Sequence, residues 1–251
     1  LQQPGLAPSK YTIIMNNLKD KVAYITGGSK GIGLGVAKIL LNHGMKVAIT
    51  SRTLEAAQKA ASALGSDPSR VLALQSDVSS LAAETAAVNA ATDHFGQLDL
   101  LVANAGVGHF ASIEDLSEKD WKEMIDTNLT GVFNSVKASI PALKKSKGMI
   151  ITIASLAGTN FFAEGSGYNA SKFGVVGFTQ AIMLDLRKHG IRVTTIMPGS
   201  VSTHFNDHVP NDGDAWKIQP EDIGEMVVNL LNMHPRTLPS KIEVRPTIPG
   251  K

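Results

Sequence analysis

Tyr168 and Lys172 stand four positions apart in SGYNASKFG, residues 166–174, within a run of small residues. On a helix this spacing puts a phenol and an ammonium on one face. They are then either a reacting pair or two side chains that share a surface. The offset alone does not decide, because Lys and Arg supply 24 of the 251 residues. A second stretch with chemical content is TGGSKGIG, residues 26–33, which follows an apolar run and opens an amphipathic one. Gly27, Gly31 and Gly33 let the chain turn sharply and let backbone approach a pyrophosphate, and the N-terminus of the helix that follows offers free N–H groups to it. Gly27, Ser29, Lys30, Gly31, Ile32 and Gly33 are therefore candidate cofactor contacts. The loop lacks the Gly-Lys-Ser/Thr ending of a nucleoside-triphosphate loop, which argues against a kinase or ATPase.

The end of the second strand separates the two nicotinamide dinucleotides. A carboxylate there would hold the ribose hydroxyls of NAD and repel the extra phosphate of NADP. This sequence has Thr50, Ser51 and Arg52, with Lys30 nearby in the glycine loop, so NADP(H) is the expected cofactor.

The elements that must position these groups follow from periodicity. Continuous apolar runs at 21–26, 46–50, 70–78, 98–106, 148–155, 191–199 and 240–246 read as seven strands. Helical patterns lie between them: one after the glycine loop, with Ile32, Val36, Ile39 and Leu40 at helical spacing, then 54–64, 81–95, 117–128, 131–145, 167–189 and 221–233. The 131–145 helix is expected to kink or end at Pro141. Apolar strands alternating with helices imply an α/β fold, a doubly wound parallel seven-stranded sheet covered on both faces. The expected organisation is a tail over residues 1–17, with Met15 a candidate natural start, and one Rossmann-fold domain over 18–251.

Composition narrows the class. A net charge of +2 with no long basic run gives no footprint for nucleic acid. There is no cysteine, hence no disulfide or thiolate metal site, which fits a reducing cytoplasm. No stretch approaches the roughly 20 apolar residues of a spanning helix, so no membrane partner is expected. His204 and His208 are four apart, but they lack a zinc-protease glutamate and lie in a polar loop. That loop reads as a substrate lid with His204, Phe205, His208 and Trp216, and no metal is expected. Phe161 and Phe162 fit a pocket wall or the core. A Ser–His–Asp hydrolase is disfavoured because no Gly-x-Ser-x-Gly elbow surrounds Ser155.

TGGSKGIG, the Asp77–Val78 pair, NAG at 104–106, Asn128, and Ser155 followed by YNASK resemble, in this order, the short-chain dehydrogenase/reductase family over about residues 18–200. The resemblance implies an oxidoreductase that interconverts a ketone or aldehyde with an alcohol, with a small-molecule substrate. It implies Tyr168 as general acid in reduction and base in oxidation, with Lys172 favouring the phenolate and holding the nicotinamide ribose. Ser155 would polarise the carbonyl, and Asn128 would hold a water that links Lys172 to solvent. Asp77 and Val78 would meet the adenine, and Asn104, Ala105 and Gly106 would form the cofactor wall. Pro198 and Gly199 would shape the turn that brings Val201 and Thr203 to the nicotinamide or phosphates.

The resemblance also implies a homodimer or homotetramer built on the helix at 167–189 and the helix before it. A 3-oxoacyl-thioester reductase is the alternative activity. The ending RTLPSKIEVRPTIPGK departs from the glycine-rich tail of many such enzymes and weighs against it. A non-catalytic cofactor sensor is expected to lose Ser155, Tyr168 or Lys172, and all three are present.

Overall fold

The computed structural model describes residues 17–65 and 67–248; the candidate start at Met15 and the rest of the tail up to residue 16 lie outside the described residues. Among these residues, seven strands form one parallel sheet: β1 (Val22–Ile25), β2 (Lys46–Ser51), β3 (Val71–Gln75), β4 (Leu100–Ala103), β5 (Met149–Ile153), β6 (Arg192–Pro198) and β7 (Lys241–Val244). Their order is β3-β2-β1-β4-β5-β6-β7. The chain therefore steps outward from β1 to β3 and returns to lay β4 on the other side of β1, with Ala23 opposite Leu100 and Ile25 opposite Val102. β1, β4 and β5 are buried along their whole length, whereas the edge strands β3 and β7 keep partly exposed positions.

The helices are α1 (Gly31–Asn42), α2 (Leu54–Ala63), α3 (Leu81–Phe95), α4 (Glu118–Ile125), α5 (Gly131–Ser146), α6 (Ser166–Leu186) and α7 (Pro220–Asn232). Alternate strand residues serve opposite faces. Ala23, Ile25, Val47 and Ile49 join α1 and α7 in one core, and Val22, Tyr24 and Ala48 join α3, α5 and α6 in the other. α2, α3 and α4 start on Thr53, Ser80 and Ser117, each of which accepts a backbone N–H of its first turn. α1 starts on Lys30 with no side-chain cap among the described residues and no acid in its first turn, so its partial positive charge is left for a ligand. Phe133 on α5 and Leu184 on α6 are exposed, on the two helices expected to meet another subunit.

Two departures from the expected helices bear on the site. α5 runs through Pro141 to Ser146. Pro141 and Lys137, whose carbonyl loses its intrahelical donor, are both exposed, so water can satisfy that carbonyl. The predicted gap between 128 and 131 is instead a π-helical turn, Asp126–Thr130, that joins α4 to α5. Such insertions re-aim the residues they carry, and this one carries Asn128.

Behind the β1 face, the wholly buried Glu84 accepts hydrogen bonds at Oε1 from Tyr24 (3.1 Å) and Ser76 (2.5 Å). Its Oε2 has no hydrogen-bond partner among the described residues. Burial raises the Glu84 carboxyl above its ordinary value, against the lowering effect of the Ser76 hydroxyl. Folding thus favours the protonated acid. Its contribution is complete below the ordinary carboxyl pKa and is lost as pH rises through the raised folded value. Glu84→Gln, which keeps the shape without the ionisation, should raise the melting temperature at pH 7–8 by about 2–4 °C, the scale of a ~1 kcal/mol change in a chain this size. The gain should vanish near pH 4. Thermal melts of both proteins from pH 4 to 8 test this, and a pH-independent difference would refute it.

Candidate active site

The strand-order reversal leaves a crevice at the C-terminal ends of β1 and β4, as doubly wound sheets do. Thr26, at the end of β1, holds its two sides together. Its Oγ1 accepts the backbone N–H of Asn104 (2.9 Å) and of Ala105 (3.1 Å). The Asn104 amide in turn donates to the carbonyls of Thr26 (2.9 Å) and Gly27 (3.2 Å). Two glycines are demanded by this geometry. Gly27 has φ +62°, and a Cβ there would lie 2.9 Å from the Ala105 Cα. At Gly33 a Cβ would meet the Asn104 amide nitrogen and the Gly27 carbonyl oxygen, each at 2.6 Å.

A cleft of about 740 Å³ opens here. Of the sequence-derived candidates, Gly27, Ser29, Lys30, Gly31, Ile32, Ser51, Arg52, Asp77, Val78, Asn104, Ala105, Gly106, Ser155, Tyr168, Lys172, Pro198, Gly199, Val201 and Thr203 border it. Gly33 and Asn128 do not; both are buried behind it. Gly33 shapes the turn from below. Asn128 spends its amide inside the protein: Oδ1 accepts from Val107 N (2.8 Å), and Nδ2 donates to Val107 O (2.9 Å) and Ser171 Oγ (3.0 Å). It thereby fastens the segment after β4 to α6, between Tyr168 and Lys172.

At one end of the cleft Arg52 is exposed, with its guanidinium 3.4 Å from Glu123. Lys30 is also exposed, and Ser29 Oγ lies 3.3 Å from Ser51 Oγ. Asp77 turns its carboxylate to Ser79 N and Oγ (2.9 and 2.7 Å). Glu123 also meets His109 (3.0 Å), and with Asp120 these form a group whose potential metal-ligating atoms lie within 4.8 Å of one another. The Arg52 cation beside Glu123 opposes a second cation there.

At the other end, α6 delivers Tyr168 and Lys172 to the edge of β5. Lys172 is 4% exposed, donates to the Ile153 carbonyl (3.1 Å), and places Nζ 5.7 Å from the Tyr168 ring centre. Burial pulls its ammonium down to about 8. Burial pushes the Tyr168 phenol up to about 12, only partly offset by the Ser155 hydroxyl. In this geometry desolvation thus outweighs the expected lowering of the phenol by Lys172. Ser155 accepts the Ala157 N–H (3.1 Å) and still has its own proton to donate. Asn169 ties the following loop to α6 by donating to Ala157 O (2.7 Å) and Asn160 O (2.8 Å).

Phe110 and Phe205 each lie 5.5 Å from the Tyr168 ring, and Phe162 lies 5.6 Å from Phe110. Phe161 instead stacks on Phe173 and is 82% exposed, neither core nor wall. His204, Phe205 and His208 border the cleft and Trp216 does not. His208 turns to the buried Asp214, which also accepts from Ser202 (3.2 Å) and pairs with Lys217. The His208 and Lys217 hydrogen bonds hold the Asp214 carboxyl well below the usual carboxylate range. Sequence reasoning missed Phe110, Asp214 and Lys217. The position of Phe110 just after NAG was the one available signal.

These features have counterparts in known proteins. A family model described as short chain dehydrogenase matches residues 21–213. A trans-4-hydroxycyclohexanecarboxylate dehydrogenase of Sinomonas cyclohexanicum is 38% identical over 196 residues, 76% of this chain and 76% of that one. The structure of an alcohol dehydrogenase from the archaeon Thermococcus sibiricus, complexed with 5-hydroxy-NADP, superposes with a TM-score of 0.84 at 29% identity over 90% of this chain and 97% of that chain. A 3-ketoacyl-(acyl-carrier-protein) reductase from Brucella melitensis, complexed with NADH, gives 0.82 at 29% identity over 92% and 98%. Among the described residues no helix is long and apolar enough to cross a membrane. With the glycine turn, the strand-order reversal and the family match in agreement, the chain belongs to the short-chain dehydrogenases, oxidoreductases that bind a nicotinamide cofactor.

Proposed function

We propose that the chain is an NADP(H)-dependent oxidoreductase interconverting a ketone or aldehyde with an alcohol, with Tyr168 as the proton donor and acceptor. The observation that carries this reading is one cleft bordered by Ser155, Tyr168 and Lys172 at one end and by the glycine turn, Arg52 and Lys30 at the other. The cradle fits a dinucleotide: the uncapped start of α1 opens on the cleft that Gly27, Ser29, Lys30 and Gly31 border, where its free N–H groups suit a pyrophosphate. Ser51 and the two exposed cations suit a ribose phosphate. The nicotinamide ring, when bound, supplies or accepts the hydride. The relatives' names, an alcohol dehydrogenase and a hydroxycyclohexanecarboxylate dehydrogenase, point to the same class of alcohol and carbonyl chemistry.

The chain's own residues handle the proton. Ser155 donates a hydrogen bond, without losing its proton, to the substrate oxygen and orients the carbonyl. The Tyr168 phenol, neutral at physiological pH, gives its proton to that oxygen as negative charge develops there. Lys172, fixed by the Ile153 carbonyl, sets a positive charge beside the phenolate left behind. Asn128 positions this pair by bonding Ser171, which itself bonds the Tyr168 carbonyl (2.8 Å).

NADPH consumption across a panel of acyl thioesters, diketones, aldehydes and ketones tests the activity. Turnover confined to acyl thioesters would favour the thioester reductase instead. Tyr168→Phe should lower kcat by roughly 10²–10⁴-fold, the usual worth of general acid catalysis, with NADPH affinity retained; a variant keeping most of its activity would remove Tyr168 from this role.

Reduction needs the phenol protonated and Lys172 charged, so its kcat/KM should decline as pH rises past about 8, where Lys172 loses its proton. Alcohol oxidation needs the phenolate and should increase with pH. Parallel pH profiles in the two directions would contradict the assignment.

NADPH should bind at least about tenfold more tightly than NADH, the worth of a charge-assisted hydrogen bond to the phosphate. Arg52→Asp should abolish or reverse that preference in a fluorescence titration. Equal affinities in the unmutated protein would refute the phosphate site.

A further inference from the structure

Phe205 sits at the middle of a short segment whose two ends are fastened to one carboxylate. Ser202 Oγ and His208 Nε2 both bond Asp214 Oδ2, at 3.2 and 2.5 Å. Between these anchors the chain makes a tight turn, with Asn206 in the left-handed region (φ 53°, ψ 49°). The Phe205 ring reaches back across the site. Its tip presses on Gly108 so closely that a Cβ there would lie 2.4 Å from Cζ and 2.7 Å from Cε1. Its centre is 5.5 Å from the Tyr168 ring and 6.4 Å from Phe110.

The cleft ends at this ring: Phe205, Tyr168 and Ser155 border it, whereas Phe110 and Phe162 lie beyond and do not. An apolar seat floored by Gly108 and walled by Phe110 and Tyr168 therefore adjoins the Ser155 and Tyr168 hydroxyls, and a phenyl group of the same chain fills it. A seat of this shape, filled by a six-membered ring in ring-to-ring contact, suits another such ring.

We propose that Phe205 holds the place of the substrate's ring: the site takes ketones or secondary alcohols bearing an apolar six-membered ring next to the reacting carbon, and that ring displaces the Phe205 phenyl from Gly108, Phe110 and Tyr168. The proposal rests on the carbonyl-reducing reading above for its chemistry, but the seat itself is a binding property. Displacement is confined to the five residues between Ser202 and His208, because Asp214 fixes both ends. Self-occupation lowers the apparent affinity for the incoming ring by the fraction of time the seat is filled.

The test compares acetophenone and cyclohexyl methyl ketone with 2-octanone, a straight-chain ketone of equal carbon number, in the unmutated protein, Phe205→Ala and Gly108→Ala. Binding is followed by ligand-observed NMR with NADP+ present and turnover by NADPH consumption, with thermal melts to establish folding. Phe205→Ala should raise the ring-to-chain ratio, in affinity and in kcat/KM, by about tenfold, since the seat is then open. Gly108→Ala, which intrudes on the seat, should bring the ratio close to one.

A ratio that falls or stays level in Phe205→Ala would overturn the proposal, because Phe205 would then be a wall for the substrate or irrelevant to it. Ring ketones that bind with the expected pattern but are not reduced would uphold the seat and refute the carbonyl-reducing reading. Reduction of all three ketones without ring preference in any variant would do the reverse.

Discussion

The arrangement depends on one seam, where the order of a parallel sheet reverses between β1 and β4. Two loops leaving neighbouring parallel strands in opposite directions must part, and the gap between them is a crevice where a ligand can reach the strand ends. Thr26 sets its width by accepting two consecutive N–H groups from across the seam, while Asn104 spans back to two carbonyls. With the seam held this way, a side chain at Gly27 or Gly33 would have to overlap backbone or the Asn104 amide. The glycines are thus as much a consequence of the seam as of any ligand. α1 then begins directly over the gap, its uncapped N-terminus fixed in direction by β1 beneath it.

The buried Tyr168–Lys172 pair shows why charge proximity alone is a poor guide to a site's chemistry. Taken by itself, an ammonium one helical turn from a phenol should lower the phenol's pKa. Burial acts on both groups in the opposite sense, disfavouring the phenolate and the ammonium together. Both are therefore pushed toward neutrality, and the Ile153 carbonyl and the Ser155 hydroxyl act against that push at one partner each. A phenol held neutral this firmly is suited to giving up a proton only where negative charge develops on the oxygen facing it. An exposed tyrosine would have no such selectivity.

What could be read from the sequence was what local spacing encodes. Seven apolar runs gave the strands and their parallel arrangement, and the TGGSKGIG spacing located the turn over the seam. Ser155 at the end of β5 and the glycine turn after β1 were placed by strand ends, whereas Tyr168 and Lys172 on α6 were named through the family resemblance; all of them border one cleft. The contacts that tune the site were not legible, because each joins residues far apart in sequence. Asn128 was named from the sequence at the end of an expected helix, but the π-helical turn that aims it at Val107 and Ser171 leaves no mark on hydrophobic period. Nothing in the pattern of residues 81–95 marks Glu84, and only the fold shows it wholly buried with Tyr24 and Ser76 bonded to it. Arg52 read as a free phosphate ligand, yet it shares Glu123 with His109.

The two ends of the cleft are built from different materials. The end at the glycine turn uses backbone and glycine beside buried strand ends, and a methyl group added at Gly27, Gly28 or Gly33 would meet neighbouring atoms within 3 Å. The end at Tyr168 uses rings carried on loops: Phe110 beyond β4, Phe162 beyond β5 and Phe205 beyond β6. Ring packing tolerates replacement and reorientation far better than backbone packing does, so these three positions can change with little cost to the sheet. Asp214 limits that freedom at one point. By binding Ser202, His208 and Lys217 together, it confines movement of the last loop to the few residues around Phe205. On the proposed reading, the rings that would meet the substrate thus sit on loops, while Ser155 and the Tyr168–Lys172 pair are fixed by β5 and α6.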